Sequence, residues 1–86
     1  MEYYNVLLKK SVDKDLRRID PIHISKIVEA IRELAKDPFP SGLRKLRGTE
    51  NLYRIRIGDY RIVYQVDNES KTITIHYIRH RRIAYG

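Results

Sequence analysis

The sequence predicts an α+β domain, an antiparallel β-sheet with an N-terminal helical hairpin packed on one of its faces. Three observations carry this. The first half holds an apolar stripe at helical spacing: Ile24, Ile27, Val28, Ile31, Leu34 and Ala35. The second half alternates apolar and charged residues on both sides of Gly58-Asp59, the pattern of a β-hairpin. And 86 residues make room for a single domain, residues 1–86, with one modest core.

Taken in order, Tyr3 to Leu8 reads as a first strand. Ser11 is the expected cap of a short helix carrying Val12, Leu16 and Ile19. Asp20-Pro21 stops that helix and starts the next, with Asp20 as N-cap and Pro21 in the first helical position. The second helix is expected to run to Lys36. Its stripe needs a surface to cover, and the apolar face of the sheet is the large candidate. Asp37 to Gly42, with two prolines, is a loop. Leu43 to Gly48 reads as basic and irregular. Its cations, Arg44, Lys45 and Arg47, fit a phosphate-contacting lip or a solvated loop equally well.

The hairpin follows. Gly58-Asp59, with Gly first, suits a type II′ turn, and a two-residue loop sets the register. Ile57 then faces Tyr60, Arg56 faces Arg61, Ile55 faces Ile62, Arg54 faces Val63, and Tyr53 faces Tyr64. Side chains alternate sides along a strand, so Tyr53, Ile55, Ile57, Tyr60, Ile62, Tyr64 and Val66 form one apolar face. The other face carries Arg54, Arg56 and Arg61. After a polar turn at Asp67 to Lys71, Thr72 to Ile78 is a further strand. Pairing Val66 with Ile73 brings Tyr64 to Ile75 and Ile62 to Tyr77. That register puts His76, Ile78 and His80 on the arginine face, with His80 close to Arg61. Tyr53, Tyr60, Tyr64 and Tyr77 read as core residues and not as base-stacking platforms.

Charge is uneven. The net charge is +7, of which residues 1–42 supply +1 and residues 43–86 supply +6. The positive field belongs to the strand-rich half, which asks for a polyanion or an acidic protein partner. A protein that is merely basic would not concentrate its charge in one half. The chain has no cysteine, which removes disulfides and thiolate metal sites. The histidines lack metal-ligand spacing, and no carboxylate cluster, Gly-rich phosphate loop or serine-nucleophile context occurs. No metal and no cofactor is expected. No apolar run has the length of a membrane span or a signal segment, so a soluble, cytoplasmic protein is expected.

Arg56 and Arg61 stand across from each other, where like charges repel. An anion between them explains the pair. The tail residues His80, Arg81, Arg82 and Tyr85 join this cluster. Arginine keeps its charge at any working pH and grips phosphate oxygens in bidentate fashion. Such parts suffice for a metal-free ribonuclease. RNA supplies its own nucleophile, the ribose 2′-OH; the protein holds the phosphate, neutralises charge growing on it and moves protons. An imidazole exchanges its proton near neutral pH, which offers His80 as base or acid. A tyrosine among arginines loses its proton more easily, which offers Tyr85. Each also has a plain reading, His80 as a surface residue and Tyr85 as a packing residue or a frayed end.

The runs Lys45-Leu46-Arg47-Gly48, Leu52-Tyr-Arg-Ile-Arg-Ile-Gly-Asp-Tyr-Arg-Ile-Val-Tyr-Gln-Val66 and Ile78-Arg79-His80-Arg81, with Tyr85, resemble the RelE/ParE superfamily of type II toxins. The resemblance spans nearly the whole chain. It implies a ribosome-dependent, metal-independent endoribonuclease that cleaves mRNA in the A site. In the RelE branch, basic residues on the second strand, an arginine opening the third, an arginine after the last strand and a tyrosine near the C-terminus carry the reaction. Those positions fall on Arg54 and Arg56, on Arg61, on Arg81 and on Tyr85. Two departures stand out: arginines occupy strand-two positions where lysines also occur, and the segment from Arg81 to Tyr85 is shorter than in some members. The site expected is therefore Arg61, Arg81, Tyr85 and His80 for catalysis. Arg44, Lys45, Arg47, Arg54, Arg56 and Arg82 are expected to bind RNA phosphates. The resemblance also implies a cognate antitoxin whose acidic segment wraps the basic surface. Two rival readings are a ParE-like inhibitor of gyrase without nuclease activity and a non-catalytic RNA- or ribosome-binding module.

Overall fold

Asp20 opens the long helix as expected: its Oδ1 accepts the amide proton of Ile22 at 3.2 Å, and Pro21 follows in the first turn. The computed structural model describes residues 3–46, 48 and 51–84, with side chains as far as Arg82. Their elements in chain order are β1 (Asn5–Leu8), α1 (Lys10–Arg18), α2 (Pro21–Lys36), β2 (Arg44–Lys45), β3 (Leu52–Ile57), β4 (Tyr60–Asp67), β5 (Thr72–His80) and α3 (Arg81–Ala84). Among the described residues no helix is long and apolar enough to cross a membrane.

The strands form one sheet in the order β1-β5-β4-β3-β2. Three pairings are antiparallel; β1 lies parallel to β5, so the sheet is mixed. The hairpin register is the one that the two-residue loop demands, from Tyr53↔Tyr64 to Ile57↔Tyr60. Gly58 has φ +59°, the left-handed value that the first position of a type II′ turn requires. Ile55, Ile62, Tyr64, Val66, Ile73, Ile75 and Ile78 make the buried sheet face, and Val12, Ile27 and Leu34 of the two helices, with Ile19 from the corner between them, close over it. The helical hairpin thus covers one side of the sheet and leaves the other to the arginines.

The cap assigned to Ser11 is corrected. Lys9 occupies the N-cap position, and Ser11 lies inside α1, where its Oγ donates to the carbonyl of His76 at 3.3 Å. Asp15, one turn later, accepts the amide proton of Ile78 at 3.0 Å. The reason is visible in the sheet. β1 pairs with β5 only as far as Ile75, so the next backbone groups of β5 need partners. Side chains of α1 supply them and shield the open edge.

The irregular reading of Leu43 to Gly48 is corrected in part. Arg44 and Lys45 form a two-residue edge strand, pairing with Arg54 and Tyr53. A charged strand this short is a common way to end a sheet.

The larger correction concerns β5. Val66↔Ile73 and Tyr64↔Ile75 hold as expected. A β-bulge then skips His76, and the pairs become Val63↔Tyr77, Ile62↔Ile78, Arg61↔Arg79 and Tyr60↔His80. Ile78 explains the bulge: at 1% exposure it fills the core, which the unbroken register would have denied it. Everything after residue 76 therefore changes sides. Ile78 and His80 leave the arginine face, and Tyr77 and Arg79 join it. Tyr77 is accordingly not a core residue.

Candidate nucleic-acid interface

The register builds the site in two rows across the uncovered face. One row runs Arg44–Arg54–Val63–Tyr77 over four strands, and the next runs Arg56–Arg61–Arg79 over three. Adjacent strands lie about 4.8 Å apart, so each arginine stands within reach of its neighbour's ligand. Arg44, Arg54, Arg56 and Arg61 line a common cavity of about 320 Å³ with Gly42 and Ile55. Arg61 is itself buried, at 8% exposure. Lys45 pairs with Tyr53 of the helix-covered face and not with an arginine; at the edge of the sheet it helps to line a neighbouring concavity of about 510 Å³ with Arg44, Leu46 and Arg54.

The Gly58-Asp59 turn anchors Arg56 and adds one further arginine, Arg81. Arg56 Nε donates to the carbonyl of Gly58 at 3.1 Å. The amide of Arg81 donates to the carbonyl of Asp59 at 2.8 Å, which ties the start of α3 to the hairpin tip. The Arg81 Nε and Asp59 Oδ1 are 3.9 Å apart, and both side chains are half-exposed or more. That ion pair is weak and leaves Arg81 available to a stronger anion. Arg82 follows, exposed, and its amide donates to His80 Nδ1 at 3.3 Å.

The expectation that His80 stands close to Arg61 is corrected. His80 pairs with Tyr60 on the helix-covered side, edge-on to its ring at 5.4 Å, while His23 of α2 approaches the same ring at 5.5 Å. Arg47 and Tyr85 lie outside the described residues. Arg79 is the residue that sequence reasoning left out of the site. It takes the place across from Arg61, and its guanidinium carbon lies 4.2 Å from the centre of the Tyr77 ring. A signal existed: the spacing of Ile73, Ile75 and Ile78 steps by two and then by three, which marks a bulge if all three are core.

Two supporting groups hold the face in place. Tyr64 is fully buried and donates its hydroxyl proton to the carbonyl of Pro38 at 2.8 Å. Burial, helped by Tyr53 and Asp37, pushes that phenol's pKa well above its ordinary value, so it stays a donor. The bond fastens the Asp37–Gly42 loop, whose last residue lines the arginine cavity. On the other flank His76, displaced by the bulge, shares a hydrogen bond with Gln65 at 3.1 Å. Partial burial, and then the nearby Lys9, lower its pKa and favour the neutral ring.

The uncovered sheet face carries forked, permanently charged donors in two rows, a chemistry that matches the oxygens of an anion. The chain belongs to the RelE/ParE superfamily of type II toxins: the family described as ParE toxin of type II toxin–antitoxin system, parDE, matches residues 6–85. Toxin RelE3 of Methanocaldococcus jannaschii is 34% identical over 85 residues, covering 93% of each chain. The archaeal RelE–RelB complex from Pyrococcus horikoshii contains a chain 34% identical to this one, with a TM-score of 0.82 over 92% of this chain and 96% of that chain. The toxin–antitoxin complex RelBE2 from Mycobacterium tuberculosis contains one 28% identical, with a TM-score of 0.80 over 92% and 99%.

Proposed function

We propose that this toxin is an endoribonuclease that cuts mRNA on the ribosome, in the A site. The observation that carries the reading is the cavity lined together by Arg44, Arg54, Arg56 and the buried Arg61. In the reaction the ribose 2′ oxygen attacks the adjacent phosphorus and the 5′ oxygen of the next nucleotide leaves. The products are a 2′,3′-cyclic phosphate and a 5′-hydroxyl. One proton leaves the 2′ oxygen and one reaches the departing 5′ oxygen. Arg61 and Arg56 hold the phosphoryl oxygens and stabilise the charge that grows on them. Arg81 meets the same phosphate from the hairpin tip, and Arg44, Lys45, Arg54 and Arg82 hold the flanking backbone. Tyr85 is our choice for proton transfer; His80, on the far side of the sheet, is not.

A site rich in phosphate clamps and poor in acid–base groups depends on the ribosome to align the 2′-OH. Primer extension on a translated mRNA is the test. Cuts confined to A-site codons, undiminished by EDTA in the cleavage step once the ribosomes are assembled and stabilised, support the reading; equal rates on naked RNA overturn it. A second reading is favoured by the ParE description of the matching family: a binding inhibitor of gyrase. Block of gyrase supercoiling by toxin that leaves ribosome-bound mRNA whole would establish that reading instead.

The Pyrococcus and Mycobacterium relatives were solved as toxin–antitoxin complexes. We propose that a cognate antitoxin with an acidic segment covers the arginine face of this chain. Opposite charges steer such partners, and salt screens them beyond about 8 Å at physiological ionic strength. Stopped-flow association should slow as salt rises. A salt-independent on-rate would place the antitoxin elsewhere.

A further inference from the structure

Arg79 stands in the row of Arg56 and Arg61, yet it is positioned differently from both. Its guanidinium lies over the ring of Tyr77, two residues earlier on β5, with 4.2 Å from the guanidinium carbon to the ring centre. Tyr77 is half-buried beside Val63, which is itself buried although it lies on the arginine face. The ring is thus a firm base, and Arg79, which is exposed, is the layer above it. A third arginine in a row of like charges adds repulsion. Resting on the electron-rich face of a tyrosine offsets part of it. It also seats the guanidinium over the ring on a residue that is itself exposed. A flat, delocalised cation of this kind is a surface on which a nucleobase stacks. Phosphate clamps approach oxygens with the edge of the fork, whereas Arg79 offers its plane.

We propose that Arg79, backed by Tyr77, is a stacking platform for one nucleobase of single-stranded RNA, next to the phosphate held by Arg61. This rests on the RNA-cleaving reading above and adds a base subsite to it. The register puts the platform one strand, or about 5 Å, from Arg61. That separation suits a base and a phosphate belonging to the same or to adjacent nucleotides. Stacking tolerates any base, so the subsite orients the chain without imposing a sequence.

The test uses the full-length toxin on ribosomes programmed with mRNAs that carry an abasic residue at each A-site codon position in turn. Single-turnover cleavage is measured for the parent, Arg79→Lys, Arg79→Ala and Tyr77→Leu. On intact mRNA both Arg79 variants should lose roughly 10- to 100-fold, the effect of one lost stack, because lysine keeps the charge but not the plane. At one codon position the abasic mRNA should bring the parent down to their level and slow them no further. Arg79→Lys cutting like the parent while Arg79→Ala does not would make Arg79 a simple charge and overturn the platform. Overturning would also follow if the Arg79 variants matched the parent, or if no abasic position slowed it. Arg79 is exposed, so its variants fold, and thermal melts check this; Tyr77→Leu should reproduce the loss from the other layer. Failure of the parent to cut any ribosome-bound mRNA would remove the function reading and the platform with it. Cutting that ignores Arg79 would remove the platform alone.

Discussion

Arg61 and Ile62 are neighbours in the chain and both are buried, yet they belong to opposite worlds. Ile62 points into a core shared by the sheet and both helices, where burial of apolar surface adds to stability. Arg61 points into a cavity of arginines, in the middle of a row of three like charges. The first side of the sheet is complete in the folded protein. The second sets like charges side by side, a repulsion that an anion placed between the guanidinium groups would offset. One alternation of side chains along β4 thus separates what holds the fold from what the fold presents.

The comparison breaks hardest at the core. Ile75→Ala should destabilise the protein by about 2–5 kcal/mol, since a fully buried isoleucine leaves a cavity when truncated. In a domain of this size that lowers the melting temperature by roughly 10 °C or more. Cleavage by the fraction still folded should stay near the parental rate. A smaller effect is expected where the two faces meet. Tyr64→Phe removes the donor to the Pro38 carbonyl and should cost about 1 kcal/mol in a thermal melt. It should also loosen the Asp37–Gly42 loop, seen as faster amide exchange there.

The smallest effect lies at the bulge. The pKa of His76 is lowered in the folded protein, so below the ordinary histidine value the unfolded chain takes up this proton first. The contribution of His76 is present above about pH 6.5 and is lost as the pH falls through the lowered folded value. Melts of the parent and His76→Gln between pH 8 and pH 5, conditions spanning about the histidine range, should diverge only at the acid end, with the parent losing more. Parallel curves would show that His76 titrates alike in both states.

The two faces were not equally legible in the sequence. Arg56 opposite Arg61 follows from the two-residue turn, because so short a loop leaves no freedom of register. The helical hairpin follows from Asp20-Pro21 and the stripe ending at Ala35. The bulge at His76 does not follow from local pattern, because an inserted residue looks like ordinary alternation until the burial of Ile78 is known. One skipped residue exchanged His80 for Arg79 in the site. Ser11 was misread for a related reason: its partner is the carbonyl of His76, 65 residues away, and a cap is a local motif. The edge strand Arg44–Lys45 is too short and too charged to show a strand pattern at all.

The central claim is that the arginine face acts on phosphate and does little for folding. Arg61→Met tests it most directly, since the methionine keeps an apolar stem in the cavity lining and removes the charged fork. Thermal melting and single-turnover cleavage on programmed ribosomes are measured on the same preparation. The expected result is a melting temperature within a few degrees of the parent, with cleavage lower by about 10²- to 10³-fold, the scale of one lost charge-stabilising donor. A steep drop in melting temperature with cleavage at the parental rate would contradict it, and would make Arg61 part of the scaffold.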